Sequence, residues 1–232
     1  MASFHHCVKS GKRGAAEEHA AYIARQGKYR HRTDLVEAGH GNMPEWAEHR
    51  PALFWRAGDK YERINGAVYR EHEIALPAEL TREQQQDLVK QLIDDLVGAK
   101  PYQYAIHLPD GAREDQTNIH LHLMYSDRMP DGVERSPEQT FSRYNPHHPE
   151  KGGCKKDSGG KNRIAIRDQL IATRKKCAEL QNAMLEKHGH SARVDHRTLR
   201  AQGIDRDPGM HIGPRRARLV DEQGNDNTSN DE

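Results

Sequence analysis

The chain is short of the residues that usually build a large core. Of its 232 residues, 34% are hydrophobic and 6% aromatic, with three Phe and two Trp, while 31% are charged. Mean hydropathy is −1.04, so the core must be lean. Cysteine is scarce as well. Cys7, Cys154 and Cys177 are odd in number and widely spaced, which supports neither a disulfide framework nor a cysteine zinc site. No stretch approaches the roughly 18 uninterrupted apolar residues of a bilayer span, and the opening MASFHHCVKSGKRG lacks the apolar run of a signal peptide. A soluble, cytoplasmic protein without membrane insertion is expected. The length allows one large domain, or one domain with a tail. Histidine is what the chain has in excess: 16 of them direct attention to metal or phosphate chemistry.

Net charge is nearly absent too, at +1 from 36 Lys+Arg and 35 Asp+Glu, but the charges are segregated. Residues 1–32 carry 7 basic and 2 acidic side chains, residues 33–134 carry 10 and 19, and residues 135–176 carry 11 and 4. Two basic blocks on either side of an acidic middle can meet in space as a phosphate-binding face, or remain ordinary solvated surface. The last twelve residues, DEQGNDNTSNDE, hold five acids and nothing apolar. Residues 216–232 therefore read as an acidic disordered tail or linker, leaving a domain over 1–215.

Local patterns predict a short strand at 3–9, a turn at SGKRG, and a helix from Ala15 to Gln26 ending at Gly27. A helix over 50–64 carries Phe54 and Trp55. A strand follows Asn65-Gly66 and stops at Pro77. TREQQQDLVKQLIDDLVG predicts a helix capped by Thr81, with Leu88, Leu92 and Leu96 in its apolar stripe and Gly98 at its end. Two alternating strands, 102–109 and 118–127, are joined by a polar loop. Residues 128–162, rich in Gly, Pro, His and Lys, suggest a long mobile basic loop, and a long helix runs from Arg163 to His188. The expected class is α+β, a mainly antiparallel central sheet flanked by helices in two or three layers.

The chemistry concentrates on the second strand pair. In NIHLHLMYSD, side chains repeat every two residues, so Ile119, Leu121, Leu123 and Tyr125 share one face while His120 and His122 share the other. If 102–109 pairs with it as a hairpin, His107 approaches the same face. Three neutral imidazoles then converge, a donor set suited to a divalent transition-type cation with positions left for phosphate oxygens. A lone histidine is ordinarily just a surface or hydrogen-bonded residue; the pairing on one face is what raises these three. Glu71 and Glu73 form a second same-face pair on 67–76, able to orient a ligand imidazole or to make a cross-strand salt bridge. Tyr22, in HAAYIARQGKY, lies near Arg25, Lys28, Arg30 and Arg32, and spacing alone leaves it an ordinary helical tyrosine.

These residues, with GHGNMPEW, YERINGAVYREHEIALP, IHLHLMYSDR, RYNPHHPEKGG and DHRTLRAQGI in order, make the chain resemble the relaxase domain of MobA/MobL (MobQ-type) plasmid mobilisation proteins, of the HUH endonuclease group, over about residues 1–215. The resemblance implies an HUH relaxase-like sandwich, a bacterial cytoplasmic setting, and nicking of one strand at a plasmid transfer origin. It makes Tyr22, not Tyr29, the nucleophile that becomes linked to the 5′ phosphate. It makes His107, His120 and His122 the ligands of Mg²⁺ or Mn²⁺, and Glu71 and Glu73 the acidic strand motif. DNA, as a hairpin plus single strand at the nick, would be held by Lys9, Lys12, Arg13, Arg25, Lys28, Arg30, Arg143, Lys151, Lys155, Lys156 and Lys161, by a monomer with accessory proteins nearby. The chain departs from the family pattern in a longer loop between His107 and His120 and in Ile119, where the pattern has proline. Two other readings use the same residues: a rolling-circle replication initiator, and a non-catalytic DNA-binding accessory protein with a structural metal.

Overall fold

The computed structural model describes residues 4–108 and 118–205; the expected acidic tail and most of the loop between His107 and His120 lie outside the described residues. The chain divides into two compact units, Met1–His196 and Arg197–Glu232. The second contributes a short 3-10 turn, Arg200–Gln202, closed by Gly203 in the left-handed region at φ 77°.

The first unit is built on five strands: β1 (His6–Lys12), β2 (Leu35–Gly41), β3 (Ala67–Ala75), β4 (Tyr102–His107) and β5 (His120–Tyr125). They form one sheet of order β1-β3-β5-β4-β2, antiparallel at every junction. Alternation along each strand divides the side chains between two cores. Ile74, Ile106, Leu121 and Leu123 face Leu88 and Leu92 of α3 (Arg82–Leu96) and Cys177, Met184 and Leu185 of α5 (Arg163–Lys187). On the other face, Tyr69, Ala105 and Met124 meet Ala20 and Ile23 of α1 (Ala16–Ile23) and Phe54 and Trp55 of α2 (Pro51–Tyr61). The result is the expected α+β sandwich in three layers. A lean composition suffices because each helix buries only one stripe. At the start of α3 the capping box is complete: Gln84 N–H donates to Thr81 Oγ1, and Thr81 N–H donates to Gln84 Oε1 at 3.0 Å.

Three elements differ from the sequence expectation. The first helix stops at Ile23, with a separate 3-10 turn at Gly27–Tyr29, because Arg25 takes up a positive φ of 51°. β2 was not anticipated, since LVEAGHG is poor in strand formers. It exists because its backbone completes the β4 edge, and Gly39 has no Cβ to collide with the Tyr104 ring lying across it.

Residues 128–162 are folded rather than a mobile loop. They carry α4 (Pro137–Phe141) and a 3-10 turn, Pro149–Lys151. Two buried arginines draw the segment together. Arg128 donates to Glu62 Oε2 at 2.8 Å and to the carbonyls of Phe141, Ser142 and Cys154 at 2.5, 3.1 and 2.9 Å. Arg135 clamps Asp131 and the carbonyls of Gly152 and Pro149. A guanidinium satisfies several buried carbonyls at once, which is how a Gly- and Pro-rich segment acquires a fixed path.

The α3/α5 side also encloses a histidine pair. His6 Nε2 and His72 Nδ1 are 2.9 Å apart, and the His72 ring stacks on Tyr125 at 5.1 Å. Burial lowers both, His6 to about 4 and His72 to about 3. The folded chain thus resists protons that the unfolded chain accepts from about pH 6.5 downward. Stability contributed by the neutral pair is complete above that pH and is lost as pH falls toward 4 and 3. Urea unfolding between pH 7.5 and 5 should show a decline approaching about 1.4 kcal/mol per pH unit for each such histidine. His72→Phe should flatten the decline, and an equal slope in that variant would assign it to other groups.

Candidate metal centre

The antiparallel register of β4 and β5 sets His107 opposite His120 and Ala105 opposite His122. Directly opposed side chains on one face lie within about 5.5 Å at Cβ, and His122 follows His120 by one pleat repeat. The three imidazoles accordingly gather, with one nitrogen from each within 4.8 Å of the others. Ring centroids are 5.5 Å apart for His107–His120, 4.6 Å for His107–His122 and 4.9 Å for His120–His122.

Each imidazole is oriented by a different neighbour. His122 Nδ1 donates to Glu71 Oε1 at 2.6 Å, leaving Nε2 for a ligand bond. His120 Nδ1 lies 3.1 Å from the Asn118 carbonyl. His107 has both nitrogens engaged. Arg25 Nη2 donates to Nδ1 at 3.1 Å and Nε2 donates to the Ile23 carbonyl at 2.7 Å, the only tautomer possible because a guanidinium cannot accept. A ligand bond through Nδ1 would keep the Ile23 hydrogen bond and replace only the contact with Arg25, whose guanidinium is already held by Asp34. Burial lowers His107 to about 4 and lowers His120 below its ordinary value, so both imidazoles are neutral at neutral pH, as ligation demands. Burial raises Glu71, but hydrogen bonds from His122 and His19 outweigh it and hold the carboxyl near 2. Three imidazoles backed by a buried carboxylate are a donor set that fits a divalent cation.

Of the two glutamates, Glu71 is the one that touches the cluster, and it does so diagonally, since Glu73 is the residue paired with His122 across the strands. Glu73 turns instead to Lys9 and lies 3.9 Å from His5.

Tyr22 sits on α1, whose next residue supplies the carbonyl that binds His107. Arg25 and Arg32 lie over the Tyr22 ring at 4.6 and 5.5 Å, Tyr29 meets it edge-on at 5.2 Å, and Arg32 Nη1 is 3.4 Å from its hydroxyl. Arg25 is buried, its guanidinium bound to both Asp34 oxygens at 2.7 Å.

The expected DNA contacts separate by exposure. Arg25 is a scaffold residue rather than a surface cation, and Lys156 is drawn in at 3.0 Å to Glu62 and 2.7 Å to the Ala67 carbonyl. Each is held by a buried carboxylate. Arg13 caps carbonyls of α2, Lys28 pairs with Glu18, and Lys161 lies 2.9 Å from Asp157. Lys12, Arg30, Arg143, Lys151 and Lys155 are exposed. Two residues at the centre were missed by sequence reasoning. Asp34 carries no local pattern. His19 does carry a signal, standing three residues before Tyr22 on one helix face.

The fold and site together define an α+β sandwich with a histidine cluster on its central strand pair and the helix of Tyr22 laid against it. Residues 8–222 match the MobA/MobL family, and the chain belongs to that family. It is 46% identical over 210 residues to a "43 kDa relaxation protein" of Salmonella typhimurium, covering 89% of this chain and 57% of that protein. It is also 46% identical over 220 residues to "Mobilization protein A" of Escherichia coli, covering 92% of this chain and 30% of that one. The chain thus spans only part of the length of these relatives. A chain solved for "Molecular Basis of Vancomycin Resistance Transfer in Staphylococcus aureus" shares the fold, with a TM-score of 0.60 at 21% identity over 85% of this chain and all of that one.

The Arg25–Asp34 pair is the support most exposed to test. Its side chains are 4% and 8% accessible, and removing one partner of a buried pair costs about 3–5 kcal/mol. Asp34→Ala should lower urea-unfolding stability by that amount, whereas Glu18→Ala, which breaks a fully solvated pair with Lys28, should leave it unchanged within error.

Proposed function

We propose that this chain is the catalytic part of a plasmid mobilisation relaxase, which nicks one strand of a transfer origin through Tyr22 and later rejoins it. The observation that carries the reading is the hydrogen bond between the Ile23 carbonyl and His107, which ties the helix of the tyrosine to the histidine cluster. Proteins named for relaxation and mobilisation that match at 46% identity support the same reading.

The residues divide the work. His107, His120 and His122 would hold Mg²⁺ or Mn²⁺, which when bound polarises a non-bridging oxygen of the scissile phosphate and offsets its growing charge. Glu71 fixes the His122 ring and tautomer. Tyr22 Oη attacks phosphorus as the bond to the 3′ oxygen breaks. The phenolic proton departs to solvent, the 3′ oxygen takes one up, and the 5′ phosphate remains on the tyrosine. Arg32, beside the hydroxyl, would donate to an incoming phosphate oxygen. The phosphotyrosyl link conserves the bond energy, so a 3′ hydroxyl can reverse the step without a nucleotide cofactor. The exposed Lys12, Arg30, Arg143, Lys151 and Lys155 would hold the backbone of hairpin and single-stranded DNA. We assign the protein to the bacterial cytoplasm, acting as a monomer on DNA alongside accessory proteins. Among the described residues no helix is long and apolar enough to cross a membrane.

Supercoiled plasmid carrying the cognate transfer origin, incubated with protein and Mn²⁺, should yield nicked circles with protein on the 5′ end. Tyr22→Phe should retain DNA binding and give no adduct; adduct persisting in that variant would transfer the role to another residue, Tyr29 first. Nicking confined to a replication origin would favour an initiator, and binding without adduct under any divalent ion an accessory protein.

The cluster is tested separately by calorimetry. His120→Ala and His122→Ala should each weaken Mn²⁺ binding by about 100-fold or more, because losing an orienting partner alone costs about 10–100-fold. Origin binding should be little changed. Wild-type Mn²⁺ affinity in both variants would remove the three-histidine site.

A further inference from the structure

We infer that His19 is a positioning residue that couples the helix bearing Tyr22 to the carboxylate of the histidine cluster; this rests on the metal-site reading above. His19 Nε2 lies 3.0 Å from Glu71 Oε2, while the other oxygen of the same carboxylate accepts from His122 at 2.6 Å. Glu71 is 1% exposed. Its two oxygens thus face one imidazole from α1 and one from β5, and at that burial each depends on its protein donor. Without the second donor, a buried carboxylate is free to rotate about its own Cγ–Cδ bond. The ring of His122 would then lose the fixed acceptor that sets its tautomer and plane.

The ring of His19 is itself seated, so the donor cannot swing away. It stacks on Tyr69 at 4.9 Å with planes 7° apart, and on its other neighbour, Tyr22, at 6.0 Å. Tyr69 and Glu71 share a face of β3, two residues apart, so one strand supplies both the flat support and the acceptor. Tyr69 can lie over β1 only because Gly11 is there: a Cβ at that position would overlap the tyrosine ring. Gly11, Tyr69, His19 and Tyr22 therefore form one packed series running alongside the polar series His19, Glu71, His122. His19 is the member common to both. It holds the tyrosine ring by its face and the cluster by its Nε2–H.

The two roles can be separated by substitution. His19→Phe keeps an aromatic ring for Tyr69 and Tyr22 and removes the donor, whereas His19→Gln restores an N–H donor without the ring. Mn²⁺ affinity, read by calorimetry on the otherwise intact chain, should fall about 10–100-fold in His19→Phe and return to within about 3-fold of wild type in His19→Gln. DNA affinity should be unchanged in both, and adduct formation in His19→Phe should fall in rate at saturating DNA without a change in KM. In a Glu71→Gln background, His19→Phe should add little further loss of Mn²⁺ affinity, since the two act through one contact. Wild-type Mn²⁺ affinity in His19→Phe, or losses that simply add to those of Glu71→Gln, would overturn the assignment. Equal loss in the Phe and Gln variants accompanied by equally lowered unfolding midpoints would do so too, by reducing His19 to packing. Normal Mn²⁺ binding by His120→Ala is a different failure, that of the metal site itself.

Discussion

The antiparallel register of β4 and β5 is the constraint on which the site depends. A slip of one residue would turn His120 and His122 into the α3/α5 core and pull Leu121 and Leu123, which are fully buried, out of it. The two leucines therefore specify the position of the two histidines: the apolar side of the strand holds the polar side in place. His107 then falls opposite His120 with no further instruction. What the register does not supply is orientation, and that comes from outside the hairpin, from Glu71 on the neighbouring strand and from the Ile23 carbonyl on the covering helix. The chemistry of the site is thus assembled from three elements but located by one.

Those parts of the molecule governed by short periods were legible in the sequence. The alternation of β3 and β5, the apolar stripe of α3 and the shared face of the three histidines all follow from side-chain repeats of two or 3.6 residues. Long-range satisfaction was not legible. Glu71 and Glu73 are equivalent by pattern; only the neighbours on either side of β3 distinguish them, β5 taking one and Lys9 of β1 the other. β2 escaped notice because its stability lies in the open edge it pairs with rather than in its own residues. The family, and the role expected of Tyr22, came from a resemblance in ordered motifs, since nothing in the local surroundings of Tyr22 separates it from a packing tyrosine.

The basic segment after β5 shows how charge counts mislead when burial is ignored. Its composition suggested a mobile, phosphate-seeking loop. Yet Arg128, Arg135 and Lys156 are turned inward, onto Glu62, Asp131 and main-chain carbonyls, and give the segment its path. These contacts tie the segment to itself and to α2 and β3. The exposed ones, Arg143, Lys151 and Lys155, are carried on the scaffold that the buried ones build.

The strand order also bears on how the molecule forms. In β1-β3-β5-β4-β2, only β4 and β5 are neighbours both in sequence and in space; every other pairing closes a long stretch of chain, which is slow because the loop must be ordered before the contact repays it. All three candidate ligands lie on that one local hairpin. The imidazoles therefore gather through a local pairing, whereas Glu71 and the helix of Tyr22 reach them only from segments distant in the chain.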